Sequence, residues 1–158
     1  MGALSLVRAA FATTAILVLP GMEAMAVDGL VTAKSAFGPA ETISRLETEV
    51  KGRGMTVFAK IDHAAGAAAV GLPLRPTTLL IFGAAKGGTP LMQAVQTMGI
   101  DLPLKALVWQ SEGGETYLSY NDPAYLARRH GADASAENSV HAMSEALKAI
   151  VVKVTTAP

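Results

Sequence analysis

The stretch that decides the fold runs Leu104-Lys-Ala-Leu-Val-Trp-Gln110, then Ser111-Glu-Gly-Gly114, then Glu115-Thr-Tyr-Leu-Ser-Tyr120. Two strand-like runs flank four turn-forming residues, which is the pattern of a β-hairpin. The preceding run, Thr77–Phe82, is continuously apolar, as expected of a strand that is covered on both faces. The sequence therefore predicts a sheet built around this hairpin.

Two further strands are predicted upstream, at Leu30–Phe37 and Met55–Asp62. Alternation along the second strand places Met55, Val57, Ala59 and Ile61 on one predicted face. A helix lies between the two strands, because Gly38-Pro39 suits a helix start and Gly52 a helix end.

The remaining elements are predicted to be mostly helical. Ala64–Gly71, almost all alanine and glycine, is interpreted as a mobile connection with room for one helical turn. Thr89 and Pro90 are predicted to start a short helix, and Asp122-Pro123 to cap another. A last helix is predicted over Ala134–Lys153. Strands and helices in this order indicate an α+β fold.

An ordered series of short motifs runs through the same region: Ile61-Asp-His63, Thr78–Gly83, Lys86–Met92, Asp101–Lys105, Trp109 and Tyr117–Ala127. As a set they resemble the family catalogued as domain of unknown function 302, over most of residues 30–131. The resemblance implies a curved antiparallel sheet covered by helices, similar to TATA-binding-protein-like folds. The resemblance thus implies a fold, but it does not imply any particular reaction.

The N-terminus has the pattern of a signal peptide. Arg8 precedes an uncharged apolar run, Ala9–Leu19, which Pro20-Gly21 interrupts, and Ala24-Met-Ala26 offers a cleavage site. The run is far shorter than the roughly 20 residues that cross a bilayer. The sequence thus predicts cleavage of residues 1–26, a single mature domain at 27–158 in the periplasm or secreted, and no stable membrane anchor.

Composition excludes several classes of function. Lys and Arg total 13 and so do Asp and Glu, so no basic excess indicates nucleic acid or an anionic membrane as a partner. The chain has no cysteine, which excludes disulfides, thiol catalysis and zinc–thiolate sites. A homo-oligomer remains possible.

Two segments are candidates for binding. His63 follows Asp62 at a strand end, where a carboxylate can orient an imidazole. Lys86-Gly87-Gly88-Thr89 lies between a strand and a helix start, a place where backbone amides attract anions. The structural alternatives are a His63 bonded to a backbone carbonyl and a tight turn with Thr89 as helix cap.

Trp109 and Tyr120 are candidates to cover the apolar part of a small organic ligand, although core packing explains both equally well. Glu137 and His141 recur at helical spacing on the last helix. The opposite stripe of that helix is apolar, so the pair is predicted to be solvated rather than metal-binding.

These residues support three functional hypotheses. The first is an exported domain that binds a small organic or anionic ligand, or a partner, through His63, Lys86–Thr89, Trp109 and Tyr120. The alternative is a metal- or haem-associated redox accessory protein that uses His63. The third is an enzyme with His63 as base and with Lys86 and the Gly87-Gly88-Thr89 turn as its anion site. The sequence contains no recognisable catalytic constellation, and it does not identify a cofactor.

Overall fold

The computed structural model describes residues 28–157, so the predicted signal peptide lies outside the described residues. Five strands form one sheet, in the spatial order β1-β5-β4-β3-β2, and all neighbours are antiparallel. The strands are β1 (Leu30–Lys34), β2 (Thr56–Asp62), β3 (Thr77–Gly83), β4 (Leu104–Gln110) and β5 (Thr116–Asn121). The predicted hairpin is therefore confirmed as β4–β5.

Helices connect the strands and complete the α+β fold predicted from the sequence. They are α1 (Pro39–Gly52), α2 (His63–Ala69), α3 (Ala85–Ala94), α4 (Pro123–Arg129) and α5 (Glu137–Thr155). Short 3₁₀ helices occupy Gln96–Ile100 and Ala134–Ala136. In the described part of the chain no helix is both long and apolar enough to cross a membrane.

The core lies between one face of the sheet and the helices α1 and α5. The fully buried side chains come from both layers: Leu46 and Val50 of α1, Ile150 of α5, and Leu80, Phe82 and Leu118 of the sheet. The predicted apolar face of α5 is confirmed, because Leu147, Ile150 and Val154 are buried while Glu137 and His141 are exposed.

One arginine joins α1 to the end of α5. Arg45 donates from Nε to the carbonyl of Val154 at 3.0 Å and from Nη2 to that of Lys153 at 3.1 Å. Its guanidinium carbon lies 4.0 Å from the centre of the Phe37 ring. A cation that satisfies terminal carbonyls is favoured by the negative end of the helix dipole. This contact fixes the two helices over the sheet.

The other face of the sheet is only partly covered, so the prediction of a doubly covered β3 is wrong. Leu80 and Phe82 are buried, whereas Leu79 and Ile81 on the opposite face remain partly exposed. Alternating burial is typical of an antiparallel sheet with helices on one side. The apolar run in β3 thus has one face buried against the helices and one face that is partly exposed.

Strand β2 also departs from its prediction. Val57 pairs with Phe82 but Ala59 pairs with Ile81, so a β-bulge lies between them. The extra residue reverses the alternation, and Val57 faces the helices while Ala59 and Ile61 face away. The predicted single face through Met55, Val57, Ala59 and Ile61 is therefore wrong.

The alanine-rich connection after β2 is more ordered than predicted, because residues 63–69 form the helix α2. Asp62 caps it by accepting a hydrogen bond from the backbone N–H of Ala65 at 2.9 Å. A side-chain cap satisfies one of the amides that a helix start leaves without a partner.

Candidate functional site

A cleft of about 570 Å³ opens at the end of the sheet where β2 begins and β3 ends. The first turn of α3 forms one wall, the N-terminal half of α5 forms the other, and Leu102–Leu104 also lines the cleft. Most of the lining is apolar, including Met55, Phe58, Met92, Leu104, Met143 and Leu147. This size and character are typical of small-molecule sites, which enclose about 300–1,000 Å³.

Small residues keep the cleft open. Ala142 and Ala146 lie one helical turn apart on the α5 wall, and Gly87 and Gly88 lie on the α3 wall. A Cβ atom added to Gly87 would have no atom within 4 Å. At Gly88 an added Cβ atom would lie 3.5 Å from Leu102 Cδ1. Small residues on both walls thus leave the volume of the cleft unfilled.

The α3 wall differs from its prediction, because α3 begins at Ala85 and Thr89 and Pro90 lie inside it. Thr89 is therefore not the helix cap. The N–H groups of Gly87 and Gly88 donate to the carbonyl of Ala84 at 3.0 and 3.1 Å. Because these amides are already hydrogen-bonded within the helix, the Gly87-Gly88-Thr89 turn does not form the predicted cradle for an anion.

Lys86 supplies the positive charge of the site. It is the one charged residue among the described residues that line the cleft, and its side chain is exposed. Within residues 28–157 no salt bridge involves Lys86. The cleft thus combines a largely apolar interior with a single cation at the α3 wall.

The structure does not bring His63 to this cleft. In the β2–β3 pair, Thr56 lies opposite Gly83 at the cleft end, while Asp62 lies opposite Thr78 at the other end. Asp62 is six positions along the strand from Thr56, about 20 Å at roughly 3.3 Å per position. A single site containing both His63 and Lys86, as the sequence predicted, is therefore ruled out.

Trp109 and Tyr120 do not cover the cleft either. Tyr120 pairs with Ala106 on the buried face of β4 and is 6% exposed, whereas Trp109 lies on the opposite face. Trp109 stacks on Tyr117 with ring centres 4.9 Å apart and donates from Nε1 to Ser119 Oγ at 2.9 Å. Neither residue lines the cleft. The packing alternative is the correct one for Tyr120.

Burial also changes the chemistry of Tyr120. Desolvation, reinforced by the negative charge of Asp122, raises the pKa of the Tyr120 hydroxyl above its ordinary value. Both causes act against the charged form of the phenol, as expected for a side chain in the core.

Sequence reasoning missed a hydrogen-bonded group at the back of α3. His130 Nε2 lies 2.7 Å from Asp101 Oδ2, and His130 Nδ1 lies 2.9 Å from Thr97 Oγ1. The imidazole is nearly buried, with 9% of its side chain exposed. The contacts join the end of α4 to the 3₁₀ helix after α3, and none of the three residues lines the cleft. The group thus braces the end of α4 against the segment that follows α3.

No local pattern could have shown this group, because Asp101 and His130 are 29 residues apart. Asp101 falls within a family-like motif, which was the available signal. In the described residues, no three histidine, aspartate or glutamate side chains form a cluster that could hold a metal. The metal hypothesis for His63 gains no support from its surroundings.

The fold and cleft define a class: an α+β domain with a one-sided antiparallel sheet and an apolar cleft between helices. Residues 31–150 match the family described as Domain of unknown function DUF302, and the chain belongs to that family. The crystal structure of an uncharacterized conserved DUF302 protein from Bacillus stearothermophilus has a similar fold, with a TM-score of 0.73. The match is 22% identical and covers 81% of this chain and 99% of that one.

Other relatives are longer than this chain. It is 46% identical over 124 residues to "Fluoride-specific ion channel FluC 1" of Brucella suis and to that of Brucella abortus. The match covers 78% of this chain but 49% and 46% of theirs. The chain therefore spans about half the length of the curated relatives it matches.

Proposed function

We propose that this protein is a binding domain that holds a small amphiphilic anion in the cleft between α3 and α5. The single observation that carries the proposal is the composition of the cleft, an apolar interior with Lys86 as its one charged residue among those described. Transfer of the ligand's hydrocarbon part from water into this cleft is favourable by about 25 cal/mol per Å² of apolar surface buried.

Lys86 sets the sign of the ligand's polar group. A ligand that carries a carboxylate or sulfonate can place this group beside the Lys86 ammonium while its apolar part is buried in the cleft. The anionic group then keeps a charged hydrogen-bond partner. Thr89, Asn138 and Ser139 also line the cleft and offer polar groups that can accept or donate hydrogen bonds. A neutral, fully apolar ligand would make no use of these groups, whereas an anionic head group can pair with Lys86 and accept hydrogen bonds from the polar side chains beside it.

The test uses laurate and anilinonaphthalene sulfonate, which combine an apolar body with one anionic group. Titration of the full chain should give saturable binding. Lys86→Ala should weaken it about tenfold, which corresponds to about 1.4 kcal/mol, and Lys86→Arg should largely retain it. Lys153→Ala, an exposed lysine elsewhere on the surface, is the matched control and should bind as the parent does.

A second pair of variants tests the location. Ala142→Phe fills the cleft from α5 and should abolish binding, whereas Ala149→Phe places the same ring outside the cleft on the same helix. Equal affinity in both phenylalanine variants would contradict the proposal. So would binding that is insensitive to Lys86→Ala.

A second candidate function is favoured by the Brucella relatives. Those proteins are described as fluoride-specific ion channels, and about half of each matches this chain. We infer as an alternative that this domain works beside such a channel, as a separate partner. Co-purification of the tagged chain with a fluoride channel from its host membranes tests it. Recovery no greater than with an unrelated tagged domain would overturn it.

We further propose that the domain acts in the periplasm or is secreted, since the N-terminal sequence has the pattern of a cleaved signal peptide. Ligand capture outside the cytoplasm and attachment to a membrane partner are both compatible with that location.

A further inference from the structure

We propose that the connection between β2 and β3 docks reversibly on the surface of a lipid bilayer. Large hydrophobic side chains are exposed at a few places in the described chain, and four of them fall within residues 61–74. Ile61, Val70, Leu72 and Leu74 are 41%, 72%, 63% and 49% exposed. A contiguous exposed apolar patch on a soluble protein marks an interaction site, whereas single exposed apolar side chains need no explanation. Val70, Leu72 and Leu74 follow α2 at alternate positions of the connection, and Ile61 lies at the end of β2 that leads into it.

The exposure follows from the local sequence. Helix α2 reads His-Ala-Ala-Gly-Ala-Ala-Ala and has no large side chain to bury against the sheet. After it, Val70, Leu72 and Leu74 alternate with Gly71, Pro73 and Arg75. The three aliphatic side chains thus belong to a segment that contributes little to the core.

The segment is nevertheless held in place. The N–H of Leu72 donates to the carbonyl of Ala67 at 3.0 Å, which folds the chain back on the end of α2. Arg75 Nε donates to the carbonyl of Gln110 at 3.1 Å, and Gln110 N–H donates to Pro76 at 3.0 Å. The exposed apolar side chains therefore lie on a backbone that hydrogen bonds hold in place.

The charges around the segment suit a bilayer. No aspartate or glutamate occurs between His63 and Ile100, and Arg75 adds a positive charge at the end of the segment. Asp62 is engaged as the cap of α2. Aliphatic side chains gain from transfer into the interfacial layer of a bilayer, and a Lys or Arg near an anionic surface adds electrostatic attraction.

The turn of the neighbouring hairpin carries two acidic residues. Glu115 forms a salt bridge with Lys34 at 3.2 Å, which offsets its charge, and within residues 28–157 no salt bridge involves Glu112. The overall charge balance, which gave no indication of a membrane partner, does not detect a local patch of this kind.

A bilayer fits the segment better than a protein partner does. Hot spots of protein interfaces are enriched in Trp, Tyr and Arg, whereas Leu and Val are under-represented. Here the exposed side chains are aliphatic and the single tryptophan of the chain, Trp109, is partly buried in the sheet. The segment lies at the end of β2 remote from the cleft, so docking leaves the cleft accessible.

The experiment places a reporter at the segment itself. Leu72→Trp in the full chain is mixed with vesicles of phosphatidylcholine and phosphatidylglycerol. Its emission should shift to shorter wavelength and be quenched by brominated lipids, while Trp109 in the parent should show neither change. Because Trp109 is present in both chains, the difference between variant and parent reports residue 72, and vesicle binding by another part of the chain does not mimic it.

A second arm measures affinity by vesicle sedimentation. Changing Val70, Leu72 and Leu74 together to Ser should weaken binding at least about tenfold, since each loses apolar transfer energy. Ile100→Ser with Val152→Ser is the control, because those side chains are 75% and 58% exposed elsewhere. An unshifted, unquenched residue 72, or equal losses in both sets, would overturn the proposal and favour a protein partner.

Discussion

Two truncations on α5, Ile150→Ala and Leu147→Ala, should differ in cost although each removes three carbon atoms. Ile150 is 0% exposed and packs within the core on all sides, whereas Leu147, at 2%, also borders the cleft. The transfer term for three carbons is about 2.4 kcal/mol, at about 0.8 kcal/mol for each.

The cavity term separates the two variants. At Ile150 the new void is closed, so its lining loses contacts and the total should reach about 3–5 kcal/mol. At Leu147 the new space joins the existing cleft and is open to water, so the total should stay near the transfer term, about 2–3 kcal/mol. The Leu147→Ala substitution should also widen the cleft, so that the variant binds a bulkier ligand than the parent does.

Urea unfolding followed by circular dichroism measures both free energies, provided that the slope with urea is unchanged. The double variant Glu137→Ala with His141→Ala is the control for the exposed stripe and should cost no more than about 0.5 kcal/mol. A cost at Leu147 equal to or above that at Ile150 would refute the position of the cleft. A comparable loss in the control would mean that α5 is turned differently.

Two further predictions follow from individual contacts, and a third follows from the N-terminal sequence. Hydrogen bonds from Lys51, the larger effect, and from Lys60 lower the pKa of Glu47 to about 2. The stability that the Glu47 carboxylate contributes is therefore present above pH 4.5 and is lost as the pH falls towards 2. Thermal melts across that range should show a shallower decline for Glu47→Gln. Gly29→Ala should cost at least about 2 kcal/mol in chemical unfolding, because Gly29 has φ +74° and a Cβ there would overlap the ring of Tyr125. The mature protein should begin at Val27, and N-terminal sequencing of exported material that finds Met1 would contradict this.

Much of the fold was predictable because its signals are local. The β4–β5 hairpin, the start of α1 at Pro39 and the cap at Asp122 all depend on residues that are close in sequence. The structure confirmed each. The apolar stripe of α5 was predictable for the same reason, since helical periodicity places its members on one face.

The failures have physical causes that sequence periodicity does not contain. The bulge in β2 adds one residue, and every side chain beyond it changes face. Helix α3 includes Gly87, Gly88 and Pro90, residues of low helix propensity, because its packing against α5 outweighs their local preference.

The candidate site was predicted in part. Lys86 and the adjacent glycines do line the cleft, but His63, Trp109 and Tyr120 do not. Strand order and direction decide which loops meet, and a single sequence does not give them directly. The brace of Thr97, Asp101 and His130 was missed because its members come together through tertiary packing alone.

The most direct test of the proposed ligand site is an NMR titration of the isotopically labelled chain with laurate. The account predicts that shifts concentrate on the amides of Gly87, Gly88, Ser139, Ala142 and Ala146, with an intermolecular contact from the laurate chain to the methyl of Met143. Amides near His63, at the far end of β2, should remain unchanged. Shifts centred on His63, or spread evenly over the surface, would contradict the claim that the α3–α5 cleft is the binding site.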